Sequence, residues 1–92
     1  MKITLKPSFG RDIDRVKSRE LLIALGEKID QILAAKSTEQ ITGLKLLRGY
    51  THHYRIYVKT EKLSYRIGAV IRGDMVWLVL FLPRKYVYKK FP

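Results

Sequence analysis

The chain has 92 residues, 47% of them hydrophobic, enough for one compact domain with a single modest core and too few for a second. It contains no cysteine, which excludes a disulfide framework, a thiolate zinc site and a cysteine nucleophile, and makes the cytoplasm the expected compartment. Nineteen Lys and Arg against eight Asp and Glu leave a formal charge of +11. The excess is uneven, with eight basic and six acidic residues in 1–40 but eleven and two in 41–92, so an anionic partner is expected to meet the C-terminal half.

The opening segment MKITLKPSFGRD is charged from its first residues and has no uninterrupted apolar run, so neither a signal peptide nor a membrane span is expected there. Lys2–Leu5 alternates polar and apolar side chains up to Lys6-Pro7 and reads as a short strand. Ser8 is placed to cap a helix from Phe9 to about Val16, with Phe9, Ile13 and Val16 on one face. Ser18 caps a second helix reaching about Lys36, on which Leu21, Leu22, Leu25, Ile29, Ile32 and Leu33 form one apolar stripe and Gly26 marks a close packing point. After the connector STEQITG the period changes to two. Leu44–Gly49, Tyr54–Lys59, Leu63–Arg72 and Met75–Leu82 read as strands, with a tight turn at Gly73-Asp74. Met75–Leu82 is apolar on both faces and therefore central, and Pro83 suits the first position of a short terminal helix. The whole, residues 1–92, is expected to be one α+β domain: an N-terminal strand, a two-helix hairpin packed on one face of an antiparallel sheet of four to five strands, and a short C-terminal helix.

Strand parity then predicts a cationic surface. If Tyr54, Ile56 and Val58 face the helices, Arg55, Tyr57 and Lys59 face away. On the next strand Leu63, Tyr65, Ile67, Ala69 and Ile71 form the core set, and Arg66 and Arg72 point outward. Directly opposed residues must sum to an odd number. A two-residue turn at Thr60-Glu61 sets Arg55 across from Arg66; a four-residue turn sets Tyr57 there instead. Either register gathers both arginines and Tyr57 on one face. Like charges opposed across a sheet cost roughly 0.2–1 kcal/mol per pair, a cost that a bound phosphodiester reverses through bidentate guanidinium contacts.

The elements Leu47-Arg48-Gly49, Tyr54-Arg55-Ile56, Tyr65-Arg66-Ile67 and Arg84 with Val87-Tyr88, in this order, resemble the recurring pattern of the RelE/ParE superfamily of type II toxin-antitoxin toxins. The likeness covers nearly the whole chain and implies the RelE-like fold. For the RelE branch it implies a ribosome-dependent endoribonuclease that cleaves mRNA in the A site, without metal or other cofactor, and is silenced by a cognate antitoxin in a hetero-oligomer. Carried over by position, Arg55 and Tyr57 take strand sites where basic catalytic residues are frequent. Arg66 and Arg84 match phosphate-stabilising arginines, and Tyr88 matches a tyrosine that orients or stacks on the substrate nucleotide. Tyr57 departs from the pattern, since a lysine there would serve as base.

Such cleavage needs backbone positioning, charge stabilisation on the phosphorane and proton transfer. Loss of one preorganised donor typically costs about 10²–10³ in rate, and a positioned acid or base contributes roughly 10²–10⁴. The candidates for proton transfer are Tyr57, a phenol flanked by cations, and His52 or His53, whose imidazole is the commonest acid–base side chain. As neighbours at the start of a strand the two histidines are expected to point to opposite faces, and turn residues are their alternative role. Arg48, Lys59, Lys85, Lys89 and Lys90 are expected to hold the RNA backbone. Glu61 and Asp74 fall in turns, so no carboxylate cluster for metals is expected. Two other readings remain open: a ParE-like toxin that inhibits DNA gyrase without cutting nucleic acid, and a basic RNA-binding module without turnover.

Overall fold

The change of period from helical to two falls where the chain passes from its helical half into its sheet. The computed structural model describes residues 1–92. In chain order it contains β1 (Lys2–Leu5), α1 (Pro7–Asp14), α2 (Arg19–Ala34), a 3-10 turn at Thr38–Gln40, β2 (Leu44–Leu46), β3 (His53–Lys59), β4 (Ser64–Arg72), β5 (Met75–Pro83) and α3 (Arg84–Lys90). No helix is long and apolar enough to cross a membrane. The sheet has five strands in the order β1-β5-β4-β3-β2. From β2 to β5 all neighbours are antiparallel, but β1 lies parallel to β5, with Ile3 beside Val76 and Leu5 beside Leu78. The sheet is therefore mixed and not antiparallel throughout. A parallel pair needs a long crossover, and everything from α1 to β4 supplies it.

Helix termini divide into one expectation met and one corrected. Ser18 caps α2, its Oγ accepting from the Leu21 N–H at 3.1 Å. Ser8 does not cap α1: the cap position is Lys6, and Pro7 takes the first turn, where a missing N–H costs nothing. The Ser8 hydroxyl instead donates to the carbonyl of Val79. On α2 the buried stripe is narrower than expected, comprising Leu21, Leu25 and Ile32 with Ile29 at its margin. Leu22 and Leu33 are exposed. Gly26 is exposed too, with nothing within 4 Å of where a Cβ would stand, so it marks no close contact.

Val79 is the pivot of β5. Ala69 pairs with Leu78 but Gly68 pairs with Leu80, which leaves Val79 as the extra residue of a β-bulge. The bulge reverses parity: Val76 and Leu78 face the α1/α2 core before it, and Phe81 does so after it. Leu80 and Leu82 are thereby turned to the opposite face. Beyond Leu78 the outer edge of β5 has no β1 partner, and α1 replaces one. Ser8 satisfies the Val79 carbonyl, and Asp12, one turn later, accepts from the Phe81 N–H at 2.9 Å. An apolar strand with hydrophobic residues at both parities is thus explained by one bulge and two helix side chains.

Two cores result. The larger packs Phe9, Leu21, Leu25 and Ile32 of the helices against Ile56, Val58, Ile67, Ala69, Ile71, Val76, Leu78 and Phe81 of the sheet. The smaller, absent from the expectations, lies on the other face and joins Leu47, Leu80, Val87 and Phe91. It seats α3 across the sheet. Here Gly68 is required, because a Cβ at that position would stand 2.8 Å from Cγ of Phe91.

Candidate functional site

The β3–β4 pairing places Tyr57 directly across from Arg66 and Arg55 across from Gly68. The connection is the four-residue one. Thr60 closes it, its N–H donating to the Leu63 carbonyl at 2.9 Å and its Oγ accepting from the Leu63 N–H at 3.1 Å. The two arginines are therefore not opposed; a tyrosine and a glycine separate them. On the far side of β3, Lys45 of β2 pairs with Arg55. The smaller core then lays α3 over this face, bringing Arg84 and Tyr88, one turn apart, above the strands.

The product is an open cleft of about 390 Å³ lined by Gly43, Leu44, Lys45, Arg55, Tyr57, Arg66, Arg84 and Tyr88. Each strand guanidinium is stacked on a phenol ring: Arg66 lies 4.2 Å from the Tyr57 ring centre and Arg55 lies 4.3 Å from that of Tyr88. Such contacts contribute ~0.5–1 kcal/mol at exposed sites and hold the guanidinium plane. Arg66 also donates to the Ser64 hydroxyl and the Tyr65 carbonyl, both at 3.0 Å. Nε of Arg55 is buried and has no hydrogen-bond partner, an unmet cationic donor at the floor of the cleft. Gly43, with φ +74°, lets β2 approach: a Cβ there would stand 2.8 Å from Cβ of Tyr57.

Tyr88 is the group whose acidity the cleft changes. Arg84 Nε donates to its hydroxyl oxygen at 3.1 Å. That bond, with the positive charges of Arg84, Arg66 and Arg55, lowers the phenol below its ordinary value despite a partial opposing effect of desolvation. The same bond raises Arg84.

All five residues expected to carry chemistry, Arg55, Tyr57, Arg66, Arg84 and Tyr88, line this one cleft. Lys59 is outside the lining and belongs to a groove beside α2 with Lys28 and Gln31, although its Nζ lies 5.5 Å from the Tyr57 ring centre. Arg48, Lys85 and Lys89 are exposed but outside the lining, and Lys90 lines a separate groove with Asp12, Arg15 and Tyr86. His52 and His53 do not face opposite ways. β3 begins only at His53, so strand alternation does not govern the pair, and both line a different groove of the same sheet face. Neither reaches the arginine cleft. Lys45 was not among the expected residues, although the alternation of Leu44-Lys45-Leu46 already sends it to the polar face.

The class defined by these features is an α+β domain with a helix pair on one sheet face and a cationic, phenol-lined cleft on the other. No protein-family model matches the sequence, and no curated protein does. Among solved structures, the chain is similar to one in the crystal structure of the RelB-RelE antitoxin-toxin complex from Methanococcus jannaschii. The TM-score is 0.72 at 24% identity, covering 96% of this chain and 98% of that one. The fold is the RelE-like one.

Proposed function

We propose that this chain is the toxin of a type II toxin-antitoxin pair and cleaves mRNA in the ribosomal A site by attack of the ribose 2′-hydroxyl on the adjacent phosphate. The observation that carries the reading is the convergence of three arginines and two phenols, from β3, β4 and α3, on one cleft whose lining holds no carboxylate. A carboxylate-free lining offers no hard-cation site and suits an anion.

In this mechanism the 2′-oxygen forms a bond to phosphorus, the bond to the 5′-oxygen breaks, and a cyclic phosphate and a 5′-hydroxyl result. Arg66 and Arg84 stabilise the non-bridging oxygens as charge accumulates. Arg55, stacked beneath Tyr88, supports the ionised phenol with its charge. Tyr88 accepts the 2′-hydroxyl proton, the phenolate being favoured by the Arg84 bond. Tyr57, the second phenol in the cleft, donates to the departing 5′-oxygen, and solvent returns the proton. Positioning and charge stabilisation are the larger contributions, about 10²–10³ for one donor.

An antitoxin partner is supported by the similar structure, which is a RelB-RelE antitoxin-toxin complex, and by the +11 charge, which an acidic chain folding on contact would neutralise. The test adds purified protein to a translation reaction with a defined mRNA. Cuts in the A site that fall about 10²–10³-fold in Arg66→Ala or Arg84→Ala are expected. Intact mRNA overturns the nuclease, and inhibition of gyrase supercoiling without cleavage replaces it with the ParE-like reading.

A further inference from the structure

Past Phe91, the face that carries the cleft continues into a second groove of about 350 Å³. Its floor is a cross-strand row in which His53 pairs with Val70 and Val70 with Trp77. The bulged Val79 extends this apolar floor, and Lys6, His52 and Arg72 stand around it. No carboxylate lines it. Trp77 is the chain's single tryptophan, and only partly buried. Two features fix the walls. The His53 ring is held between Tyr50 and Phe91, at 4.9 and 5.7 Å between ring centres. Nδ1 of His52 lies 3.2 Å from the Ile71 carbonyl, so in the neutral ring Nδ1 carries the proton and Nε2 is an acceptor.

We infer that this groove is a nucleobase subsite that takes a nucleotide of the RNA strand flanking the scissile linkage, the base stacking on Trp77 and its phosphate meeting Arg72 and Lys6. The inference rests on the ribonuclease reading for the identity of the strand, but not for the chemistry of the groove. An aromatic plate ringed by cations is the usual platform for single-stranded nucleic acid. His52 Nε2 adds an acceptor that an exocyclic amine of the base can reach. Position supports the same occupant. Groove and cleft share one sheet face, and from Arg66 to Val70 along β4 is about 13 Å, the length of roughly four stacked nucleotides at ~3.4 Å each. An acidic peptide would meet the cations, but it stacks on the indole only where it carries an aromatic side chain.

The sole tryptophan is its own reporter. An uncleavable 2′-O-methyl oligonucleotide of about ten residues, within the usual single-strand site size, is titrated while Trp77 emission is followed. Saturable quenching is expected, weakened about tenfold in the exposed Arg72→Ala variant and retained in Arg66→Ala/Arg84→Ala, which has lost the cleft. Trp77→Leu, followed by anisotropy of a labelled oligonucleotide, should bind about 10–100-fold more weakly. Quenching of equal size by polyphosphate or polyglutamate would overturn the subsite, because neither polymer carries a base. So would unchanged emission in a preparation that cuts mRNA. Quenching by the oligonucleotide in a preparation that leaves mRNA intact supports the subsite and removes only the nuclease.

Discussion

The two faces of β3 and β4 share one backbone and one ladder of hydrogen bonds, yet they are built to different ends. On the helix side Ile56 and Ile67, paired across the strands, are 0% exposed. On the other side the corresponding positions are Arg55, Tyr57, Arg66 and Gly68. The first face gains from burial. The second gathers like charges, and between β3 and β4 it limits their repulsion by interleaving: a ring or a glycine lies across that strand pair from each arginine, and each strand guanidinium rests on a phenol. Arg55 and Arg66 are not opposed to each other, and Lys45 across from Arg55 is the one directly opposed pair of cations on this face. The lesson is that a face selected for an anion is recognisable less by its charges than by what is placed between them.

That contrast can be broken first from the helix side. Ile67→Ala should cost about 2–5 kcal/mol, the range for truncating a fully buried aliphatic side chain, read as a lower midpoint in urea unfolding. Residual cleavage per folded molecule should be near that of the parent, because the cleft side chains are untouched. Arg66→Ala should show the reverse pattern. Its lost stacking on Tyr57 and the relieved repulsion are each under ~1 kcal/mol, so the urea midpoint should barely move while cleavage collapses. Equal losses of stability in both variants would mean that the two faces are not functionally distinct.

Gly68→Ala tests the joint between the faces. A Cβ there meets Phe91 Cγ at 2.8 Å, Phe91 Cδ1 at 2.9 Å and Leu80 Cδ1 at 3.0 Å. Overpacking of this kind costs roughly 1–3 kcal/mol. The strain falls on Phe91, which closes α3, so hydrogen exchange should rise in Arg84–Lys90 while β3 and β4 keep their protection. Cleavage should fall with it, since α3 carries Arg84 and Tyr88. An alanine variant with normal exchange in α3 and normal activity would show that Phe91 does not position the helix.

Much of this arrangement was legible from residue order. Parity alone separated Ile56 and Ile67 from Arg55 and Arg66, and the asymmetry of charge located the cationic half. Other features were not legible, each for a physical reason. The bulge at Val79 leaves no mark in a uniformly apolar strand, so neither the reversal of parity in β5 nor the second core under α3 could be read. β1 joins β5 across the whole length of the fold, and no local pattern reports a contact of that separation. Lys45 needed the β2–β3 register, which the loop between Leu47 and His52 leaves open. Gly68 reads as an ordinary weak point in a strand until Phe91 is seen to lie over it.

The smallest expected effect is also the most specific to the cleft: the titration of one phenol. Tyr88 is held below the ordinary 10.0 chiefly by the Arg84 hydrogen bond and then by the charges of Arg84, Arg66 and Arg55. Cations favour the phenolate, so removing one must raise the value. An absorbance titration of the protein minus that of Tyr88→Phe should show a tyrosine ionising below the ordinary range, and Arg84→Ala should move it upward more than Arg55→Ala does. Salt should move it the same way by screening the charges. The sign for stability follows from linkage: a lowered folded value favours the folded state only as pH rises past it toward the unfolded phenol's, and contributes nothing below. For cleavage, a base that must be ionised gives a rate climbing about tenfold per pH unit until its own value is reached. That limb should vanish in Tyr88→Phe. Its survival there would transfer the proton-accepting role to Tyr57 and leave Tyr88 as the plate on which Arg55 rests.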